Sequence, residues 1–157
     1  LMAEIDKEPA ESSRDAATFL LYLPEDDSQE LTLLFMHYLL RNRHQRVIYL
    51  GHHVTLSDLE DACQPLRPDY VFTILQEPIP RHPIQGYLDA AAQAIAPSKL
   101  LLTGAQVFVN PVNLPANSEV LSGLQDTIKF LDSLKIRHLN TKTSAVEDAQ
   151  SSAGSAM

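Results

Sequence analysis

Short apolar segments alternate with longer segments of helical periodicity along most of this chain. Each apolar segment is bounded by turn-forming residues, which is typical of a strand covered on both faces of a parallel sheet. Four of these segments are clear and a fifth is weaker. They are Ala17–Leu23, Arg46–Leu50, Tyr70–Leu75, Lys99–Thr103 and, as the weaker one, Ser118–Ser122.

Between the predicted strands, apolar residues recur three and four positions apart, which gives a helix one buried face. Thr55 and Asp58 are spaced as a capping box at the start of the second helix, and Asp27 and Glu30 indicate the same for the first. This alternation predicts a doubly wound α/β fold, a Rossmann- or flavodoxin-like sheet of five parallel strands with helices on both faces. Ligands bind such sheets at the carboxyl ends of the strands.

The first predicted helix is apolar on two sides, so it needs two partners. One stripe is predicted to face the core. The roughly opposite stripe is predicted to pack against the last helix or the linker, or else to contact a second subunit of a homo-oligomer or a neighbouring domain. The core stripe is Leu31, Leu34, Phe35, Tyr38 and Leu39, and the opposite stripe is Leu33, Met36, His37 and Leu40.

One folded domain is predicted between two segments of different composition. A chain of 157 residues with 45% apolar content can bury one sizeable core and not two. Residues 1–15 indicate the end of a preceding helix and an exposed linker, and residues 16–136 form the α/β domain. Residues 137–157, rich in Ser, Thr, Ala and Asp, indicate a disordered tail.

Charge and cysteine content narrow the function further. With 12 Lys and Arg against 20 Asp and Glu, the net charge of -8 disfavours direct nucleic-acid binding by this segment. Cys63 is the only cysteine, which excludes an internal disulfide. It falls in an apolar helical pattern, so it is predicted to be a core residue and not a reactive thiol. Neither a signal peptide nor a membrane span is evident, which predicts a cytoplasmic protein without a membrane partner.

The segment from Phe19 to Leu75 resembles a known family. It is similar to the cobalamin-binding domain in the C-terminal half of MerR-type transcriptional regulators, and the resemblance extends from about Thr18 to Leu134. The most specific part runs from Leu23 to Gly51. The opening residues, LMAEID, resemble the end of the helical bundle that precedes this domain in the family. The resemblance implies that DNA is bound only by an upstream winged helix-turn-helix that is not in this chain.

The cobalt-binding turn of that family has the pattern Asp/Glu-x-His-x-x-Gly, and this chain departs from it. The matching residues are Asp27, Gln29 and Thr32, so the acid is kept while the histidine and the glycine are lost. A carboxamide is a poor cobalt ligand beside a neutral imidazole, and Thr32 adds a branched side chain where the cofactor would pass. The departure predicts that cobalt ligation is lost. Cobalamin can also bind such folds without a protein ligand, but the space that Thr32 takes predicts that this binding is lost as well.

Two further family motifs fall at the carboxyl ends of later strands. The Ser-x-Leu/Thr motif corresponds to Thr73, Ile74 and Leu75, where the resemblance implies that a hydroxyl binds the cofactor tail. The Gly-Gly motif corresponds to Gly104 and Ala105. Together with Asp27, Gln29 and Thr32, the predicted ligand-binding residues are therefore Thr73, Leu75, Gly104 and Ala105.

Other chemistry has weaker support in the sequence. His52, His53 and His82 fall near the predicted carboxyl edge, but adjacent histidines on a turn point apart and no metal-ligand spacing follows, so no metal site is predicted. No nucleophile elbow or phosphate-binding loop is present, so the chain is predicted not to be an enzyme. The favoured interpretation is that this chain is an effector or oligomerisation domain of a MerR-type regulator. The alternative is a corrinoid-binding subunit of a cobalamin-dependent methyltransferase or mutase.

Overall fold

The computed structural model describes residues 16–24, 28–79 and 83–134. Strands and helices alternate throughout this part of the chain. In order, they are β1 (Thr18–Tyr22), α1 (Glu30–Asn42), β2 (Arg46–Gly51), α2 (Leu56–Leu66), β3 (Tyr70–Ile74), α3 (Ile84–Ile95), β4 (Lys99–Thr103), α4 (Ala105–Val109) and β5 (Ser118–Val120). A further helix, α5, comprises residues 124–134.

The five strands form one parallel sheet in the order β2-β1-β3-β4-β5. The chain moves outward from β1 in one direction to β2 and in the other direction through β3 to β5. The connection that leaves β1 and the one that leaves β3 therefore run in opposite directions along the sheet. The place between β1 and β3 is thus the topological switch point of this open parallel sheet. The predicted doubly wound, Rossmann- or flavodoxin-like fold is confirmed, including the weak fifth strand.

Alternation along the central strand β1 assigns each helix to a face of the sheet. Leu20 and Tyr22 point into a core that is shared with residues of α2 and α3. Leu21 points the other way, toward α1, because its register partner Tyr49 stacks on His37 of α1 with ring centroids 5.4 Å apart. The sheet is thus covered by α1 on one face and by α2 and α3 on the other.

The prediction of which side of α1 faces the core was wrong. The stripe that was predicted to pack on the last helix, the linker or another subunit is instead buried against the sheet, and its members are Leu33, Met36, His37 and Leu40. The stripe assigned to the core is mostly at the surface, with Leu31 78% exposed. Both stripes are apolar, so hydrophobicity alone did not decide between them. The stacking of His37 on Tyr49 makes a histidine acceptable on the buried side.

Helix α2 begins as the sequence indicates. The Thr55 hydroxyl accepts a hydrogen bond from the Asp58 amide, and the Asp58 carboxylate accepts one from the Thr55 amide, so the capping box is complete. The apolar side of the helix includes Leu59 and Cys63, which lie in the core cluster. Burial raises the pKa of the Cys63 thiol, as expected for a core cysteine and not for a reactive thiolate.

Contacts along the chain define two compact units, Leu1–Ser122 and Gly123–Met157. The first contains the whole sheet with α1 to α4, and the second contains α5. The predicted linker before residue 16 and the predicted tail from residue 137 lie outside the described residues. In the described part of the chain, no helix combines the length and the apolar character needed to cross a membrane.

Gly104 follows β4 in a conformation that only glycine adopts easily. Its φ is 111°, and a Cβ atom placed on it would lie 2.5 Å from the carbonyl carbon and oxygen of Leu75. Hydrogen bonds hold the Leu75 backbone next to Gly104. The Leu75 amide donates to the Thr103 carbonyl, and the Leu75 carbonyl accepts from the Gln106 amide. Gly104 therefore permits direct backbone contact between the ends of β3 and β4.

Replacing Gly104 with alanine should destabilise the protein because the added methyl group meets backbone atoms that cannot rotate away. We expect Gly104→Ala to lower the free energy of unfolding by about 3 kcal/mol, combining overpacking with a strained positive φ. The matched control is Gly86→Ala within α3, where the nearest atom to an added Cβ is 3.6 Å away. That change should be neutral or stabilising in urea unfolding. Equal stabilities of the two variants would contradict this account of Gly104.

Candidate functional site

The candidate site lies at the carboxyl edge of β1 and β2, where two loops are joined by backbone hydrogen bonds. The Leu23 amide donates to the Gly51 carbonyl at 2.8 Å, and the Val54 amide donates to the Leu23 carbonyl at 3.0 Å. Gly51 has a φ of 86° and sits at an irregularity in the β1–β2 register. The two loops therefore leave the sheet together, and the start of α1 lies beside them.

Gln29 and Thr32 are adjacent at the start of α1. The Thr32 hydroxyl donates to the Gln29 side-chain oxygen at 3.1 Å, and the Gln29 carbonyl accepts the Leu33 amide at 3.0 Å. Gln29 is the N-cap residue and Glu30 is the first helical residue, so the predicted capping box with Asp27 as cap was wrong. Asp27 itself lies outside the described residues.

Histidines from the β2–α2 loop approach this position. His52 and His53 are exposed, and their rings meet edge to face with centroids 4.7 Å apart. The His52 Nδ1 atom lies 3.5 Å from a carboxylate oxygen of Glu30, the residue next to Gln29. Within residues 16–24, 28–79 and 83–134, no three His, Cys, Asp or Glu side chains are grouped to hold a metal ion. His82 falls outside these ranges.

Thr73 and Leu75 are fully buried and lie on the other side of the sheet. Thr73 is the register partner of Tyr22, so both side chains point toward α2 and α3, and Leu75 belongs to the core cluster on that face. Thr32 belongs to α1, which covers the opposite face. The structure thus brings Gln29 and Thr32 together but does not bring the Thr73 hydroxyl to them.

A buried pair of tyrosines, which the sequence did not point to, occupies the switch point between β1 and β3. Tyr22 ends β1 and Tyr87 lies in the first turn of α3, and their hydroxyl oxygens are 2.9 Å apart. Burial raises the pKa of Tyr22 to about 12, and the neighbouring hydroxyls of Tyr87 and Thr73 oppose this rise only in part. The sequence feature that could have indicated this pair is the tyrosine at the last position of the apolar strand β1.

Among the residues that the structure describes, two buried hydroxyls have no hydrogen bond of normal geometry. One is Thr73 Oγ1, which is near enough to Tyr22 to favour its phenolate without forming such a bond, and the other is the hydroxyl of Tyr49. Burial raises the pKa of Tyr49, and the negative charge of Glu30 adds to the effect. A buried hydroxyl without a partner costs free energy, so both positions could accept a hydrogen bond from a small polar ligand or water.

Gly104 and Ala105 have structural partners at their predicted site. The space that a Gly104 side chain would need is filled by the Leu75 backbone, and the Ala105 amide donates to the Gln76 side-chain oxygen at 3.2 Å. Close approach of the chain to itself therefore explains this glycine. The resemblance had explained it by close approach of a cofactor.

The described residues do not fit a cobalt centre. The turn offers the Gln29 amide where the resemblance implies an imidazole, and that amide oxygen already accepts the Thr32 hydroxyl. Amide oxygen is a hard donor that does not suit cobalt as imidazole does. The His52 imidazole is near, but it extends from another loop toward Glu30.

A cleft of about 450 Å³ is present at the opposite, amino edge of the sheet. It lies between the ends of α2 and α3 and is lined by Cys63, Gln64, Arg67, Pro68, Asp69 and residues 94–98. Since ligands of doubly wound sheets bind at the carboxyl edge, this cleft does not belong to the candidate site.

No family model matches the sequence, and a search of curated proteins gives no significant match. The resemblance to cobalamin-binding domains of MerR-type regulators therefore stays a prediction.

The unpartnered Thr73 hydroxyl should cost stability. Thr73→Val replaces it with a methyl group of similar size, and we expect the free energy of unfolding to rise by up to about 1 kcal/mol. The contrasting variant is Thr55→Val, which removes the hydroxyl that caps α2 and should lower stability by about 1 kcal/mol. Chemical unfolding of both variants measures the difference. A loss in Thr73→Val as large as that in Thr55→Val would show that the Thr73 hydroxyl is satisfied.

The protein should lose stability at alkaline pH through Tyr22. The unfolded chain ionises this residue near pH 10, whereas the folded chain holds its proton to a pKa of about 12. The stabilisation is complete below pH 10 and is lost as the pH rises to 12, by up to about 3 kcal/mol. Unfolding measured from pH 8 to pH 12 should show a steeper decline for the wild type than for Tyr22→Phe. Tyr38→Phe, at an exposed tyrosine, should keep the wild-type slope.

Proposed function

We propose that this chain is the effector and oligomerisation domain of a MerR-type transcriptional regulator, with a cobalamin-binding fold that has lost cobalt ligation. The observation that carries the proposal is the pair formed by Gln29 and Thr32. These residues stand at the positions that the resemblance assigns to the cobalt-binding imidazole and the bare glycine, and they bond to each other. A doubly wound sheet with its carboxyl edge beside this pair is consistent with descent from a ligand-binding domain.

The proposed role is sensing or assembly and not catalysis. A small polar ligand would be recognised at the carboxyl edge by Gln29 and Thr32, and the resemblance alone adds Asp27 to them. The His52 ring and the Glu30 carboxylate lie beside Gln29 and would set the charge of that edge. In this proposal, DNA is bound by a winged helix-turn-helix upstream in the complete protein, and the protein is cytoplasmic.

Loss of cobalt ligation can be tested by asking whether the motif can be restored. The wild-type chain, mixed with hydroxocobalamin or adenosylcobalamin in the dark and then desalted, should elute without corrinoid absorbance. The double variant Gln29→His with Thr32→Gly returns an imidazole ligand and removes the branched side chain, so it should retain corrinoid with a changed visible spectrum. The control is Gln93→His, which adds an imidazole at an exposed position of α3 and should retain none.

Corrinoid that comigrates with the wild-type chain would overturn the proposed loss and favour the corrinoid-binding subunit of an enzyme. If the restored variant also binds nothing while its circular dichroism matches the wild type, descent from a cobalamin-binding domain loses its support. The two results can be told apart because the first depends on the natural residues Gln29 and Thr32, whereas the second depends on the residues that surround them.

A further inference from the structure

The outward side of α1 carries apolar side chains that are largely exposed to solvent. Leu31, Phe35 and Tyr38 lie along it at helical spacing and are 78%, 47% and 52% exposed, respectively. Leu34, which is partly buried, lies between them. We call these four residues the outer stripe. Single exposed apolar residues are common on protein surfaces, but a continuous row along a helix is typical of a contact surface.

Charges at the two ends of the outer stripe are complementary to each other. Glu30 is the first residue of α1 and Arg41 lies in its last turn. They are eleven positions apart, which is close to three turns of about 3.6 residues, so they flank the same edge of the stripe. A helix with acid at one end and base at the other can pair with an antiparallel copy of itself, because each acid then meets the base of the partner.

The apolar positions agree with the same antiparallel arrangement. A twofold axis that places Glu30 opposite Arg41 of the second copy passes close to Phe35, which is near the middle of α1. Leu31 then lies about 3 Å, or two residues, along the helix from the level of Tyr38 of the second copy, and the two Phe35 rings lie next to the axis. A twofold axis perpendicular to the helix pair keeps the same flank on the same side, so both charge pairs form in one dimer.

From this self-complementary pattern, we infer that the outer stripe binds a second copy of this chain through antiparallel pairing of α1. The inference rests on the oligomerisation role proposed above and names its surface. Helices of this length bury less area than a standard interface of about 1,600 Å², so the dimer should dissociate on dilution. Glu30 can keep its contact with His52, because a carboxylate accepts several hydrogen bonds.

Sedimentation equilibrium of the 157-residue chain tests the inference. The wild type should form a reversible dimer between about 1 μM and about 1 mM. Phe35→Asp and Leu31→Lys each place a charge in the outer stripe and should weaken dimerisation at least about tenfold. The matched control is Val109→Asp, at a residue of α4 that is 76% exposed and outside the stripe, which should leave the dimer unchanged. Circular dichroism confirms the fold of each variant.

Charge exchange tests the antiparallel direction. Glu30→Arg and Arg41→Glu should each weaken the dimer, because each creates two like-charge contacts. The double variant should restore much of the lost affinity, because the acid and the base have exchanged places. A double variant no stronger than the weaker single variant would overturn the arrangement.

Two other results would overturn the inference as a whole. One is a wild-type chain that stays monomeric throughout the concentration range. If Leu31→Lys then also lowers the melting temperature sharply, the chain itself covers the outer stripe, and the inference is overturned in that case too. The other is a dimer that Phe35→Asp leaves intact. None of these measurements depends on cobalamin, so failure here is separate from failure of the corrinoid experiment.

Discussion

The direction in which the side chains of β1 point constrains everything around the candidate site. This strand is bonded to β2 on one side and β3 on the other, and each of its residues from Phe19 to Tyr22 is inaccessible to solvent. Side chains of a strand alternate between faces, so Tyr22 can only join α2 and α3, while Leu21 can only join α1. The polar groups at the carboxyl edge are divided between two separate layers for this reason.

This division explains why the residues implied by one family motif do not form one pocket. Gln29 and Thr32 remain near solvent beside the histidine-bearing loop, whereas Thr73 is sealed with the tyrosine pair in the other layer. Gly104 is used by the chain to bring β3 and β4 into contact. A ligand at the start of α1 would therefore be recognised by few groups, and α1 fixes the positions of two of them, Gln29 and Thr32.

The fold could be predicted from the sequence because its signals are local. Continuous apolar runs identified the strands, and the spacing of Thr55 and Asp58 identified the start of α2. The orientation of α1 could not be predicted, because both of its sides are apolar and the choice depends on Tyr49 in the next strand. Tyr22 and Tyr87 are 65 positions apart, so their pairing left no local pattern. Helix α4, with five residues, is too short to show a period.

The position of Cys63 has a practical consequence for studying motion in this protein. It is the one cysteine of the chain, and it belongs to the core cluster while also bordering the cleft at the amino edge of the sheet. Alkylating reagents react with the thiolate, so burial, which raises the pKa of this thiol, should slow its modification. The rate of modification, compared with that of a small thiol in solution, would then report how readily small molecules reach this sulfur in the unaltered sequence.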